Sequence, residues 1–111
     1  MITGVHGMIF TKDEAADRAF LRDVLEIPCI DSGGGWLIFK LPPAELGFHS
    51  GDNGFHQIYF ICEDADAFVR RMAERGVAAD PITDEPWGRS TGILLPGGGK
   101  LGVYEAHHAR P

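Results

Sequence analysis

Sulfur chemistry is scarce in this sequence, whose 111 residues include only two cysteines, Cys29 and Cys62, with no C-x-x-C pair. That spacing offers neither a disulfide framework nor a thiolate zinc site, so both residues read as small buried hydrophobes. Clustered positive charge is missing too. Ten Lys and Arg against sixteen Asp and Glu leave a formal charge of −6. Nucleic acid and anionic membrane surfaces both reward concentrated cations, and neither suits this chain. A small molecule or another protein is the default partner. No apolar run is long enough to span a bilayer, and the opening "MITGVHGMIF" lacks a basic segment followed by a long apolar core. The expected location is the cytoplasm.

What remains is an ordinary apolar share, 44% of the chain. It suffices for one domain with a real core and is short for two. Residues 2–11 read as a strand. In "DEAADRAFLRDVLE", Ala16, Phe20, Leu21, Val24 and Leu25 recur at helical spacing, with Asp13 as N-cap and Pro28 as the stop. The segments "GGGWLIFKLPP" and "AELGFHSG" follow as short strands divided by Pro42 and Pro43, and a further short strand is possible at 29–31.

From Phe55 the same order begins again. "FHQIYFIC" reads as a strand and "DADAFVRRMAERG" as a helix with Asp64 as N-cap and Gly76 as stop. "VAADPITDEPWG", "STGILLP" and "KLGVYEA" supply further strands. Both halves place His-x-x-x-Phe on the first strand, as His6 to Phe10 and His56 to Phe60, and both close with a Leu-Pro turn leading to a Leu-Gly strand. Two βαβββ copies are too few for a solenoid, so they must bury their faces against each other. The expected class is α+β: one domain over 1–111, with module 1 at about 1–52 and module 2 at about 53–111. The modules form a curved mixed sheet with helices on the outer face and a cleft open to a ligand.

Paired βαβββ modules with a histidine on the first strand of each resemble the vicinal oxygen chelate superfamily of glyoxalases, bleomycin-resistance proteins and extradiol dioxygenases. The resemblance covers nearly the whole chain, through "VHGMIFTKDEAADRAFLRDVLEIP", "FHQIYFICEDADAFVRRMAERGV" and "LPGGGKLGVYE". It implies a divalent ion, Zn, Ni, Fe or Mn, held by His6, Glu45 and His56, with Glu45 as a candidate base. It also implies chemistry on a small oxygen-bearing substrate whose developing charge the ion stabilises. Members of this size commonly pair, so a homodimer is expected.

At the last strand the chain departs from that pattern. Where the family carries a second carboxylate, this sequence has Lys100 or Gly102, depending on the alignment. Glu105 shares the strand parity of Leu101 and Val103 and belongs to the helix side. The missing carboxylate favours the competing reading, a metal-free binding protein of the drug-sequestering type, whereas the equivalent histidines favour the enzyme. Candidate ligand-facing residues are Trp36, His49, Trp87, Arg89 and Tyr104, with Trp87 and Arg89 together in the loop "DEPWGRS". Phe39 and Phe48 read as core, and the tail "HHARP" as a disordered end.

Overall fold

A computed structural model describes residues 6–48, 50 and 55–111. The second half builds the larger sheet. Strand β3 (Tyr59–Cys62) leads into helix α2 (Ala65–Glu74), and β4 (Thr83–Glu85), β5 (Gly88–Leu94) and β6 (Lys100–Ala106) follow. The order across the sheet is β3-β6-β5-β4, with β3 parallel to β6 and the other pairs antiparallel. The first half contributes helix α1 (Glu14–Asp23) and a separate antiparallel pair, β1 (Cys29–Asp31) and β2 (Leu37–Phe39).

Both helices start where the sequence places their caps. The Asp13 and Asp64 carboxylates accept the backbone N–H groups of Ala16 and Ala67, each at 3.1 Å. Gly76 ends α2 at φ 75°, a conformation that costs a glycine little. Helix α1 ends earlier than Pro28 requires, with Val24 as its C-cap and Glu26 at φ 56°. The cause lies on α2: the Arg75 guanidinium donates to the carbonyls of Asp23 and Val24 at 3.2 Å, and Arg71 and Arg75 pair with Glu26. Arg75 thus satisfies orphan carbonyls of α1, and both arginines hold Glu26 where the chain turns before the proline is reached.

Strand alternation decides where the core sits. Leu101, Val103 and Glu105 share one face of β6, beside Phe60 and Cys62 of β3 and Arg89, Thr91 and Ile93 of β5. On this face Phe20 and Leu21 of α1 and Met72 of α2 meet Ile93, Leu95 and Leu101, with Phe39 packed at the margin. One core is therefore drawn from both halves. The β5–β6 turn is held to α1 by the Gly97 N–H, which donates to the buried Asp17 carboxylate at 2.7 Å.

Several expectations are corrected. Of the strands expected at 2–11 and 44–51, the described residues 6–11, 44–48 and 50 join no sheet, while 2–5, 49 and 51 lie outside the described residues; the strand expected at 55–62 shortens to Tyr59–Cys62. A strand exists only where a neighbour takes its hydrogen bonds, and an alternating pattern alone supplies none. Phe48 is 95% exposed and is no part of the core. Cys29 and Cys62 are free and only half-buried. Among the described residues no helix is long and apolar enough to cross a membrane.

Candidate functional site

The face of the large sheet turned away from the helices carries Gly102 and Tyr104 of β6, Tyr59 of β3, and Ser90 and Leu94 of β5. Tyr59 and Leu94 are 41% and 59% exposed, as side chains on an uncovered face must be. The Tyr59 ring lies against Gly102, where a Cβ would stand 2.4 Å from the ring. Only a glycine there lets the phenol settle onto β6. Gly88 has a similar part in the β4–β5 turn, because a Cβ at its position would stand 2.1 Å from the Glu105 carbonyl oxygen. Its absence lets the turn close on β6 and bring Trp87 against Tyr104.

Three rings consequently meet at steep angles. The centroids of Trp87 and Tyr104 are 5.0 Å apart at 86°, those of Tyr59 and Tyr104 5.8 Å at 84°, and those of Tyr59 and Trp87 6.2 Å at 72°. These edge-to-face contacts are the arrangement the ring quadrupoles favour. Tyr59 and Trp87 both keep exposed surface, so the group presents ring to solvent as well as to itself.

The C-terminal tail lies beside these rings. The His107 N–H donates to the Trp87 carbonyl at 2.9 Å. His108 Nδ1 lies 3.0 Å from the Ala109 carbonyl, which can only accept, so Nδ1 carries the proton and the Tyr104 hydroxyl donates to Nε2 at 2.8 Å. Arg110 donates from Nε to Glu45, whose other oxygen is 3.9 Å from His108 Nδ1. The Glu45 side chain is 24% exposed. The Tyr104 hydroxyl is held above the ordinary phenol range, first by burial and then by the Glu45 charge. The tail expected to be disordered is thus folded onto the site.

The candidate residues do not all gather there. Trp87, Tyr104 and Glu45 do. Trp36 lies on the hairpin of the first half, where the Arg18 guanidinium sits 4.8 Å above its ring. Arg89 projects to the helix side, bound to Asp66 of α2 at 2.6 Å and to Asp84 at 3.1 Å. The two aspartates raise its pKa, and its guanidinium in turn holds Asp66 below the usual carboxylate range. Arg89 lies within β5 and shares the parity of Thr91 and Ile93, which face the helices, whereas Trp87 lies in the turn before the strand, where alternation does not set its direction. His49 lies outside the described residues. Glu105 stands on the helix side and accepts the Ala65 N–H at 3.0 Å.

Tyr59, His108 and Arg110 escaped the sequence reading. Tyr59 had a usable signal, since parity in "QIYFIC" separates it from core-facing Phe60 and sets it opposite a glycine of β6. Arg110 had none, because 65 residues separate it from Glu45.

An ion implied by the resemblance finds a poor donor set. Among the described residues no three His, Cys, Asp or Glu side chains come close enough to hold one. His6 and His56 are exposed, and Glu45 is engaged by a guanidinium. Of the two candidates for the last-strand position, Gly102 has no donor and lies against the Tyr59 ring, and Lys100 is a cation paired with Asp80. Among the described residues, His6, Glu45 and His56 are not brought together as a three-ligand set for a divalent ion.

No family model and no curated protein matches the chain in sequence. Solved structures match its fold. TnmS3, described as an antibiotic binding protein from Streptomyces sp. CB03234, is similar at TM-score 0.68 and 21% identity, over 96% of this chain and 99% of its own. Lactoylglutathione lyase from Agrobacterium tumefaciens gives TM-score 0.68 at 19% identity, over 94% of each chain. The fosfomycin resistance protein FosX from Listeria monocytogenes gives 0.62 at 20%, over 96% of this chain and 95% of its own. Two helices against a mixed sheet, superposing on these structures over nearly their whole length, give this chain the α+β fold of the glyoxalase/bleomycin resistance/dioxygenase superfamily.

Proposed function

We propose that this chain is a metal-free small-molecule binding protein whose ligand is a flat ring system held against Tyr59, Trp87 and Tyr104. The observation that carries this reading is the ring group itself, packed edge to face with two members still exposed. Each favourable ring contact adds about 0.5–1.5 kcal/mol beyond the area it buries. A planar ligand touching two of the rings reaches roughly micromolar affinity once its own apolar surface is counted. The likeness to an antibiotic binding protein supports the same reading.

The enzyme reading, in which His6, Glu45 and His56 hold Zn, Ni, Fe or Mn and Glu45 acts as base, has less support. Glu45 is already paired with Arg110, and a carboxylate so engaged must first give up that partner to bind an ion. A likeness to lactoylglutathione lyase is the observation on its side.

Two copies pair in this proposal, and the two modules of each, about 1–52 and 53–111, act as one domain. Phe10, Leu46, Phe48 and Phe55 are each at least 75% exposed, more large apolar surface than a chain of this size leaves uncovered without a partner. The unpaired cysteines suit the cytoplasm.

One experiment addresses all of this: sedimentation of the untagged protein with acridone, a neutral planar dye, followed at the dye's absorption with and without EDTA. Acridone should travel with a particle of twice the chain mass in both cases, should dissociate from Trp87→Ala, and should stay with Arg89→Met. Dye that never co-sediments, or that is released by EDTA, would sink the metal-free binding reading. A particle of single-chain mass would sink the pairing.

A further inference from the structure

The ring site has a carboxylate at its side, and the chain already supplies a cation for it. Glu45 lies beside the ring group: one of its oxygens is 3.9 Å from Nδ1 of His108, the ring whose Nε2 takes the Tyr104 hydroxyl, and its charge helps raise the Tyr104 pKa. The faces of the three rings are regions of negative potential, and an anionic side chain beside them deepens it. The chain's overall excess of acid over base works in the same direction. The nearest cations of the large sheet are committed elsewhere: Arg89 to Asp66 and Asp84 on the helix side, Lys100 to Asp80. What meets Glu45 is Arg110, from a tail that belongs to no helix or strand.

We propose that the ring site selects organic cations, planar molecules carrying a protonated amine, amidinium or guanidinium group, and that Arg110 is a built-in competitor which the ligand's cation displaces from Glu45. This rests on the ring-binding reading above and adds the charge of the ligand to it. Arg110 is a flat, permanently charged guanidinium, the side chain that best imitates such a ligand's polar end. The bond it forms with Glu45 joins two partly exposed groups, at 40% and 24% side-chain exposure. Pairs of that kind are worth little net free energy, so a ligand that also buries its rings can replace one. Displacement leaves the ligand's cation on Glu45, its rings against Tyr59 and Trp87, and Arg110 in water. A neutral or anionic ligand of the same shape gains the ring contacts only. If it displaces Arg110, Glu45 is left unpaired.

The test compares three dyes of one shape by equilibrium titration of the full chain: 9-aminoacridine, a cation at neutral pH; acridone, neutral; and anthracene-9-carboxylate, an anion. Native protein should prefer the cation by about tenfold, the scale of one desolvated charge pair or cation–π contact. Arg110→Ala should tighten 9-aminoacridine severalfold and leave acridone unchanged. Glu45→Gln should remove the preference while acridone still binds, which also shows that the variant is folded. Equal affinity for all three dyes in native protein and in Arg110→Ala would overturn the cation proposal and leave the ring-binding reading standing. Weaker 9-aminoacridine binding in Arg110→Ala would also overturn it, because the arginine would then be part of the site. Failure of every dye to bind any form would overturn both.

Discussion

The two faces of the four-stranded sheet are built from alternate residues of the same strands, yet they bear different chemistry. On the helix side every charged group has a fixed local partner: Arg89 holds Asp66 and Asp84, and Glu105 takes the Ala65 N–H and His107. On the other side Tyr104 and Glu45 are linked to the tail through His108 and Arg110, Lys100 pairs with Asp80 at the far end, and the rings of Tyr59 and Trp87 stay exposed. Arg89 and Ser90, or Tyr104 and Glu105, are neighbours in sequence with opposite duties. The comparison teaches that parity along a strand, and not proximity in sequence, divides residues that hold the fold from residues that meet a ligand.

The largest effect should come from breaking the helix side. Ile93 is fully buried among Phe20, Leu21, Met72, Leu95 and Leu101. Ile93→Ala deletes buried methyl and methylene groups and leaves a cavity, so it should cost about 2–5 kcal/mol in urea unfolding. That is a large part of a typical domain's margin. Dye affinity of the fraction still folded should not change. A matching loss of affinity at temperatures where the variant is fully folded would show that the two faces are not separable.

The complementary change is Gly102→Val on the open face. A Cβ there collides with the Tyr59 ring at 2.4 Å, and that ring is free to swing into solvent. Stability should move by less than about 1 kcal/mol, because a strand interior also gains from losing a glycine. Acridone binding should fall sharply. Unchanged dye binding would mean that the Tyr59 ring is not part of the site.

How much of this was legible in the sequence follows the same division. Local signals were sound: Asp13 and Asp64 cap their helices, Gly76 ends the second, and β6 spans the "KLGVYEA" segment. The helix faces of Phe20, Leu21 and Met72 were readable from 3.6-residue spacing, and Glu105 from strand parity. The α+β class and its family likeness followed from the repeated order of elements. What pattern alone did not carry was the pairing of distant segments. The alternation at 44–48 looks like that of a strand, but among the described residues no partner takes it up. Trp87 and Arg89 looked like one binding loop until the sheet separated them. The Glu45–Arg110 contact depends on the folded chain bringing its first half to its last residues, which no local spacing encodes.

The smallest predicted effect sharpens the comparison by titration. The Ala65 N–H at the start of α2, followed by His107, holds the Glu105 carboxyl below the ordinary glutamate range, with burial opposing them. The folded state therefore binds this proton less readily than the unfolded chain does. The stabilisation is complete above the ordinary glutamate pKa of about 4.3 and is lost as pH falls through the lower folded value. Glu105→Gln removes this dependence and keeps an acceptor for the N–H. Urea midpoints of native protein and variant should differ modestly above about pH 5 and converge as the pH is lowered below about 4. Dye binding at neutral pH should be alike in the two, since Glu105 faces the helices. A midpoint difference that stays constant with pH would show that the N–H contact gains nothing from the carboxylate's charge. A change in dye affinity would join Glu105 to the ring site across the sheet, against the alternation that separates it from Tyr104.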